Sequence, residues 1–111
     1  KRATEMKQKQ QILQLLGLAV SARMLTSGEE LVVKVIRNSQ AKIVIISSDA
    51  SANTLKKIQD KCKSYNVELH VFGDRSDLGH ATGKDARVVL AVTDQGFAKK
   101  LSELLNEFNR G

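Results

Sequence analysis

The sequence contains no proline and no tryptophan, one cysteine, one tyrosine and three phenylalanines in 111 residues. Each shortage excludes something. A single cysteine, Cys62, cannot close an internal disulfide, and with only His70 and His80 a zinc cage of protein ligands is hard to assemble. Aromatics make up 4 % of the chain, too few for an exposed aromatic sheet that stacks single-stranded RNA bases. No apolar run reaches the roughly 18 to 20 residues needed to cross a bilayer. The first thirty residues lack the ordered segments of a signal peptide. The expectation is a soluble protein of a reducing compartment, the cytoplasm, with no membrane partner.

What is present suits one globular domain spanning residues 1–111. Hydrophobic residues are 41 % and charged residues 27 %, ordinary values for a chain that buries a core. The net charge is +6, and it is unevenly placed. Lys1, Arg2, Lys7, Lys9, Arg23, Lys34 and Arg37 face only Glu5, Glu29 and Glu30 in residues 1–40, a net of +4. Residues 41–80 and 81–111 contribute +1 each. A polyanion is a plausible partner for the N-terminal third, although solubility alone also explains such a charge.

The periodicity divides the chain into alternating elements. Residues 4–19 have helical spacing, with Met6, Ile12, Leu13, Leu15, Leu16 and Ala19 on one broad face. Gly17 and the small residues near Ser21 weaken the helix end, and Met24-Leu25 lead into a turn or very short strand. Thr26/Glu29 and Ser27/Glu30 both have capping-box spacing, Ser27 being the preferred cap. Leu31, Val32, Val35 and Ile36 form the buried face of this second helix, which ends near Asn38. The β-branched run Ile43–Ile46 reads as a strand covered on both faces. Asp49 or Ser51 caps a third helix to about Ser64, with Ala52, Leu55, Ile58 and Cys62 inward. Val67, Leu69 and Val71 alternate with Glu68 and His70, as in a strand open to solvent on one side; Phe72 closes its inner end.

Asp74-Arg75-Ser76-Asp77 again has capping-box spacing and opens a short helix to Ala81. Val88–Val92 is a buried strand. Asp94 caps a last helix with the stripe Phe97, Leu101, Leu104, Leu105 and Phe108. Strands separated and flanked by helices make a three-layer α/β/α sandwich with a small sheet, mixed or mostly parallel.

Little in this pattern suggests catalysis. Cys62 is on an inner helix face, where a thiol is inert packing. His70 and His80 have no assigned partner. Asp74, Asp77 and Asp94 are explained by capping, and no phosphate-cradling glycine motif is present. Asp49 and Asp85 lie near strand ends, where a metal or an acid–base pair is conceivable, but nothing further supports one. No catalytic residue, metal or cofactor is assigned.

Two windows suit RNA instead. Gly28, in the first turn of the second helix, lets another backbone approach where a Cβ would intrude. The free amides of that turn favour a phosphate or a polar base edge. Lys34 and Arg37 extend a basic edge, although a surface pair between Glu30 and Lys34 is the ordinary explanation. The second window is Gly79–Val88, above all Lys84-Asp85-Ala86-Arg87 after Gly83. A flexible polar loop on a rigid strand is the kind of surface that recognises RNA bulges.

The same windows carry a resemblance. The chain from about Gln11 to Leu105 resembles the ribosomal protein L7Ae family, which includes the L30e proteins and a small bacterial YlxQ-like branch. Four segments match in order: Gly17 to Ala22; Gly28-Glu29-Glu30-Leu31-Val32-Val33-Lys34; Ala41 to Ala50; and Asp77-Leu78-Gly79-His80-Ala81-Thr82-Gly83. The resemblance implies an L30e-like fold, no enzymatic activity and binding of kink-turn RNA. The family motif on the second helix runs glycine, any residue, asparagine, glutamate, two residues, lysine. Gly28 and Lys34 match its ends. Glu30 replaces the asparagine and Leu31 the glutamate, the positions that approach sheared guanine–adenine pairs in relatives. Glutamate cannot donate as asparagine does, and leucine has no polar group.

The expected RNA-binding residues are Ser27, Gly28, Glu29, Glu30, Leu31, Lys34 and Arg37, with Lys84, Asp85, Ala86 and Arg87 closing over an unpaired nucleotide. The expected partner is structured RNA, ribosomal RNA included, rather than DNA, and the expected state is a monomer. The Glu30-Leu31 departure motivates a second reading, a protein–protein adaptor on the same fold.

Overall fold

Ile43-Val44-Ile45-Ile46 is apolar at every position because both of its faces are covered. Alternate strand residues point to opposite sides, and each side meets its own helices. The computed structural model describes residues 2–110; Lys1, counted above in the N-terminal charge, and Gly111 lie outside them. The elements in chain order are α1 (Arg2–Ser21), β1 (Leu25–Ser27), α2 (Glu29–Arg37), β2 (Ile43–Ile46), α3 (Ala52–Ser64), β3 (Glu68–Val71), α4 (Arg75–Ala81), β4 (Val89–Val92) and α5 (Gln95–Arg110).

On one side of the sheet Ile43, Ile45, Leu90 and Val92 pack with Ile12 and Leu16 of α1, Leu78 of α4, and Leu101 and Leu105 of α5. On the other side Val44, Ile46, Val89 and Ala91 pack with Val32, Val33 and Ile36 of α2 and with Ile58 and Cys62 of α3. This is the three-layer α/β/α sandwich that the alternating elements predict.

The sheet order is β1-β4-β2-β3. β2 and β3 are parallel, whereas β4 is antiparallel to both β1 and β2. The sheet is therefore mixed, and the mostly parallel alternative does not hold. The reason is the length of α4. Seven residues rise only about 10 Å, so α4 stays at the end of the sheet where β3 finishes. The amide of Arg87, just before β4, bonds the carbonyl of Arg75 at the start of α4 (3.0 Å). β4 thus begins where β2 and β3 end and must run the other way.

Several sequence expectations are corrected. Met6 is 66 % exposed: α1 rises about 30 Å over its 20 residues, and its core contacts begin at Ile12. Gly17 does not weaken the helix end but lies inside α1, where a Cβ would stand 3.3 Å from the Ala81 carbonyl; glycine lets α1 and α4 approach. Leu31 is 56 % exposed and Val33 is buried instead. At 100° per residue, Val32, Val33 and Ile36 share one side of α2 and Leu31 lies nearly opposite. Ala52, in the first turn of α3, is exposed.

β3 also differs from expectation. It is an edge strand with Val71 46 % exposed. Its polar face is partly open, with Glu68 exposed and His70 half-buried; α5 reaches it where the Glu68 carboxylate, 2.6 Å from His70 Nε2, accepts a hydrogen bond from Ser102 (2.6 Å). The Asp74–Asp77 capping box at α4 forms as predicted. Ser51 rather than Asp49 caps α3, and Asp94 caps α5 by accepting from the Phe97 amide (2.9 Å).

Candidate nucleic-acid interface

One end of the sheet collects the predicted windows. Gly28 donates its amide to Val89 on one side of β4 (3.1 Å), and Ser47 donates to Val88 on the other (2.8 Å). The start of α2, the loop after β2, the start of α4 and the loop 82–88 therefore meet around the entry of β4.

Gly28, not Ser27, is the N-cap of α2. Its φ of 100° and ψ of 143° lie where an L side chain is strained. Nothing lies within 4 Å of a Cβ built there, so the requirement for glycine is conformational and the space beside it is open. Having no side chain, Gly28 caps nothing, and the amides of Glu29, Glu30 and Leu31 are left directed out of the helix end. That is an acceptor-seeking surface, favoured for a phosphate or base edge.

Neither predicted capping box forms at α2. The Ser27 hydroxyl accepts from Arg87 Nε (3.1 Å). The Glu29 carboxylate accepts from the Thr54 hydroxyl (2.8 Å) and the Lys57 ammonium (3.0 Å), both on α3. Those two bonds, Lys57 first, hold the Glu29 carboxyl below its ordinary range. Glu29 shares the inward side of α2 with Val32, Val33 and Ile36, which is why it reaches α3. Its carboxylate is a strut between two helices. Glu30, Leu31, Lys34 and Arg37 are all exposed. Leu31 and Lys34 are neighbours at i,i+3 on the outward face. Among the described residues no ion pair within 4.0 Å involves Glu30, Lys34 or Arg37, so the Glu30–Lys34 pair is not made.

The loop 84–87 is anchored rather than loose. A Cβ on Gly79 would fall 2.6 Å from the backbone of Ala86; only glycine lets the loop lie on α4. The Lys84 amide bonds the Gly79 carbonyl (2.7 Å), and the buried Thr82 hydroxyl bonds the Leu78 carbonyl (2.9 Å). Arg87 donates through Nη1 to the Ala86 carbonyl (2.8 Å) and through Nε to Ser27, tying the loop to the turn before α2. Lys84, Asp85 and Ala86 remain exposed. Asp49, considered above as a metal or acid–base residue, accepts from the Arg75 amide (3.2 Å) and Nε (3.3 Å) and so latches the β2–α3 loop to α4.

The structure thus brings Ser27, Gly28, Glu30, Leu31, Lys34, Lys84, Asp85, Ala86 and Arg87 to one end of the molecule, with Arg37 further along α2. Sequence reasoning missed Thr54, Lys57 and Arg75, which position the others. Their partners are 25 to 28 residues away, and no local spacing signals them. Cys62 is buried and its thiol is pushed up to about 11 by that burial. Among the described residues no group of three or more His, Cys, Asp or Glu could hold a metal ion. No described helix is long and apolar enough to cross a membrane.

Fold and site together define an α/β/α domain with a glycine-opened helix start facing an anchored polar loop. The chain belongs to the ribosomal protein L7Ae/L30e/S12e/Gadd45 family, whose model matches residues 10–102, and within it to the YlxQ-like side. It is 56 % identical over 92 residues to the RNA-binding protein YlxQ of Bacillus subtilis (strain 168), covering 83 % of this chain and 92 % of that protein. It is 42 % identical over 97 residues to the RNA-binding protein YlxQ of Enterococcus faecium, covering 87 % and 93 %. A solved structure of a protein with unknown function from Bacillus halodurans C superposes with a TM-score of 0.84 at 52 % identity, covering 86 % of this chain and 96 % of that one.

Proposed function

We propose that this chain is an RNA-binding protein that recognises a bulged, kink-turn-like RNA at the end of the sheet where α2 begins. The observation that carries this reading is the uncapped start of α2. Three amides and an open Gly28 flank stand beside exposed Lys34 and opposite the anchored loop 84–87. Phosphate or base edges accept from the amides, Lys34 and Arg37 meet phosphates, and Glu30 and Leu31 approach the bases. Lys84, Asp85 and Ala86 face an unpaired nucleotide. Ser27, Glu29 and Arg87 act mainly by holding these parts in place. The names of the YlxQ relatives and of the family support RNA as the ligand and the ribosome as a setting. A cytoplasmic monomer is part of the same proposal.

The test is a titration of a kink-turn RNA and a matched straight duplex with wild type and with a Lys34→Ala/Arg87→Ala variant. Wild type should prefer the kink-turn, and the variant should lose roughly tenfold or more, since each phosphate or charge-assisted contact carries about 1–2 kcal/mol. Equal weak binding in all four pairings would sink specific recognition. One observation favours the adaptor reading: Leu31 presents an exposed apolar side chain at the centre of the site. A stable protein partner recovered from cells without RNA would support it.

A further inference from the structure

Folding gathers a second set of cations that shares only Arg37 with the site just described. Arg37 of α2 and Asn53, Lys56, Lys57, Asp60 and Lys61 of α3 line one groove between the two helices. Lys57 is held by Glu29 at 3.0 Å. Among the described residues no ion pair within 4.0 Å engages Arg37, Lys56 or Lys61. Asp60 is the one acid lining the groove. Lys57 and Lys61 stand one helical turn apart, where like charges repel, and an anion laid along the groove relieves that repulsion.

The groove is continuous with the start of α2. The Lys57 that lines it also bonds Glu29, the residue next to Gly28. Within residues 41–80 the basic charge is concentrated on α3, where Lys56, Lys57, Lys61 and Lys63 face only Asp60, and packing sets Lys56, Lys57 and Lys61 beside Arg37. Lysine, arginine and asparagine side chains all donate to phosphate oxygens, and such contacts fix orientation without reading sequence.

We propose that the α2–α3 groove is a second RNA contact that receives the sugar–phosphate backbone of a duplex stem leading away from the bulge at the start of α2. Lys56 and Lys61 meet its phosphates. This rests on the RNA-binding reading above. It adds a surface that responds to stem length and not to base sequence.

The test uses three RNAs: the bulged RNA with short stems, the same RNA with stems extended, and a straight duplex of the extended length. Affinities are measured across a salt series for wild type, a Lys56→Gln/Lys61→Gln variant and a Lys56→Arg/Lys61→Arg variant. On the extended RNA the glutamine variant should reduce the slope of log K against log salt by about 2, at roughly 0.9 per phosphate contact. Its binding to the short-stem RNA should stay within about twofold of wild type, and arginine should restore the slope. An unchanged slope on the extended RNA, or an equal loss on both bulged RNAs, overturns the groove assignment. Failure of wild type to prefer bulged RNA over duplex is a failure of bulge recognition alone. The groove is then judged on the straight duplex, where a reduced slope supports it and an unchanged one overturns it. Lysine-dependent binding of polyglutamate with no change in any RNA slope would assign the groove to an acidic protein and also overturn the proposal.

Discussion

Gly79 and Glu29 show how single residues shape this site without touching a ligand. The backbone of Ala86 rests where a Cβ on Gly79 would be, at 2.6 Å. Gly79→Ala must therefore displace the loop or the helix, and overpacking of this kind costs about 1–3 kcal/mol. Urea denaturation should register that loss, and RNA affinity should fall because the loop 84–87 no longer faces α2. Glu29 acts through charge. Its carboxyl lies below the ordinary value because the Lys57 and Thr54 hydrogen bonds favour the ionised form. A group with a depressed folded pKa contributes stability above its unfolded value, and that contribution disappears as pH falls through the folded value. The difference in stability between wild type and Glu29→Gln should thus be present at pH 7 and should vanish well below the ordinary glutamate value. Denaturant titrations at a series of pH values from 7 downward check it; a difference that does not shrink with acidification would contradict the strut.

At the scale of the element, α2 is where sequence and structure part most instructively. The hydrophobic run and the end at Asn38 were legible, since Asn38 is the observed C-cap. The cap and the buried face were not. Ser27 has the right spacing for a cap, but its hydroxyl is taken by Arg87, 60 residues away. Leu31 reads as core, but the helix turns Val33 inward in its place. That rotation puts Glu30, Leu31 and Lys34 outward together, so the two residues that depart from the family motif stand in the proposed interface. Restoring the motif with Glu30→Asn/Leu31→Glu should raise the preference for kink-turn over duplex RNA by about tenfold or more, since a matched polar contact to a base discriminates by roughly 1–3 kcal/mol. Competition binding with the two RNAs measures it. α2 should remain folded in the variant, because both positions are exposed.

For the whole molecule, the sheet is the frame that both helical layers share, and β4 is one of its two interior strands. β4 pairs with β1 and β2 at once, and its Leu90 is fully buried among residues of α1, α4 and α5. Leu90→Ala should cost about 2–5 kcal/mol, a large share of the stability of a small domain. A thermal melt followed by circular dichroism should show the drop as one cooperative transition. The same interior strand organises the site: Gly28 and Ser47 flank its entry, so loss of β4 pairing should reduce RNA binding with stability.

The sequence by itself determined the elements and their layering, because hydrophobic period, β-branched runs and local caps such as Asp74–Asp77 are properties of neighbouring residues. It also singled out the windows proposed to meet RNA, through Gly28, Lys34 and the polar loop before β4. Tertiary structure alone decided the direction of β4, the cap of α2, the outward turn of Leu31 and the gathering of α3 lysines beside Arg37. Each depends on contacts between residues far apart in the chain, and the helix length, glycine clearances and hydrogen bonds that select them exist only once the layers have packed.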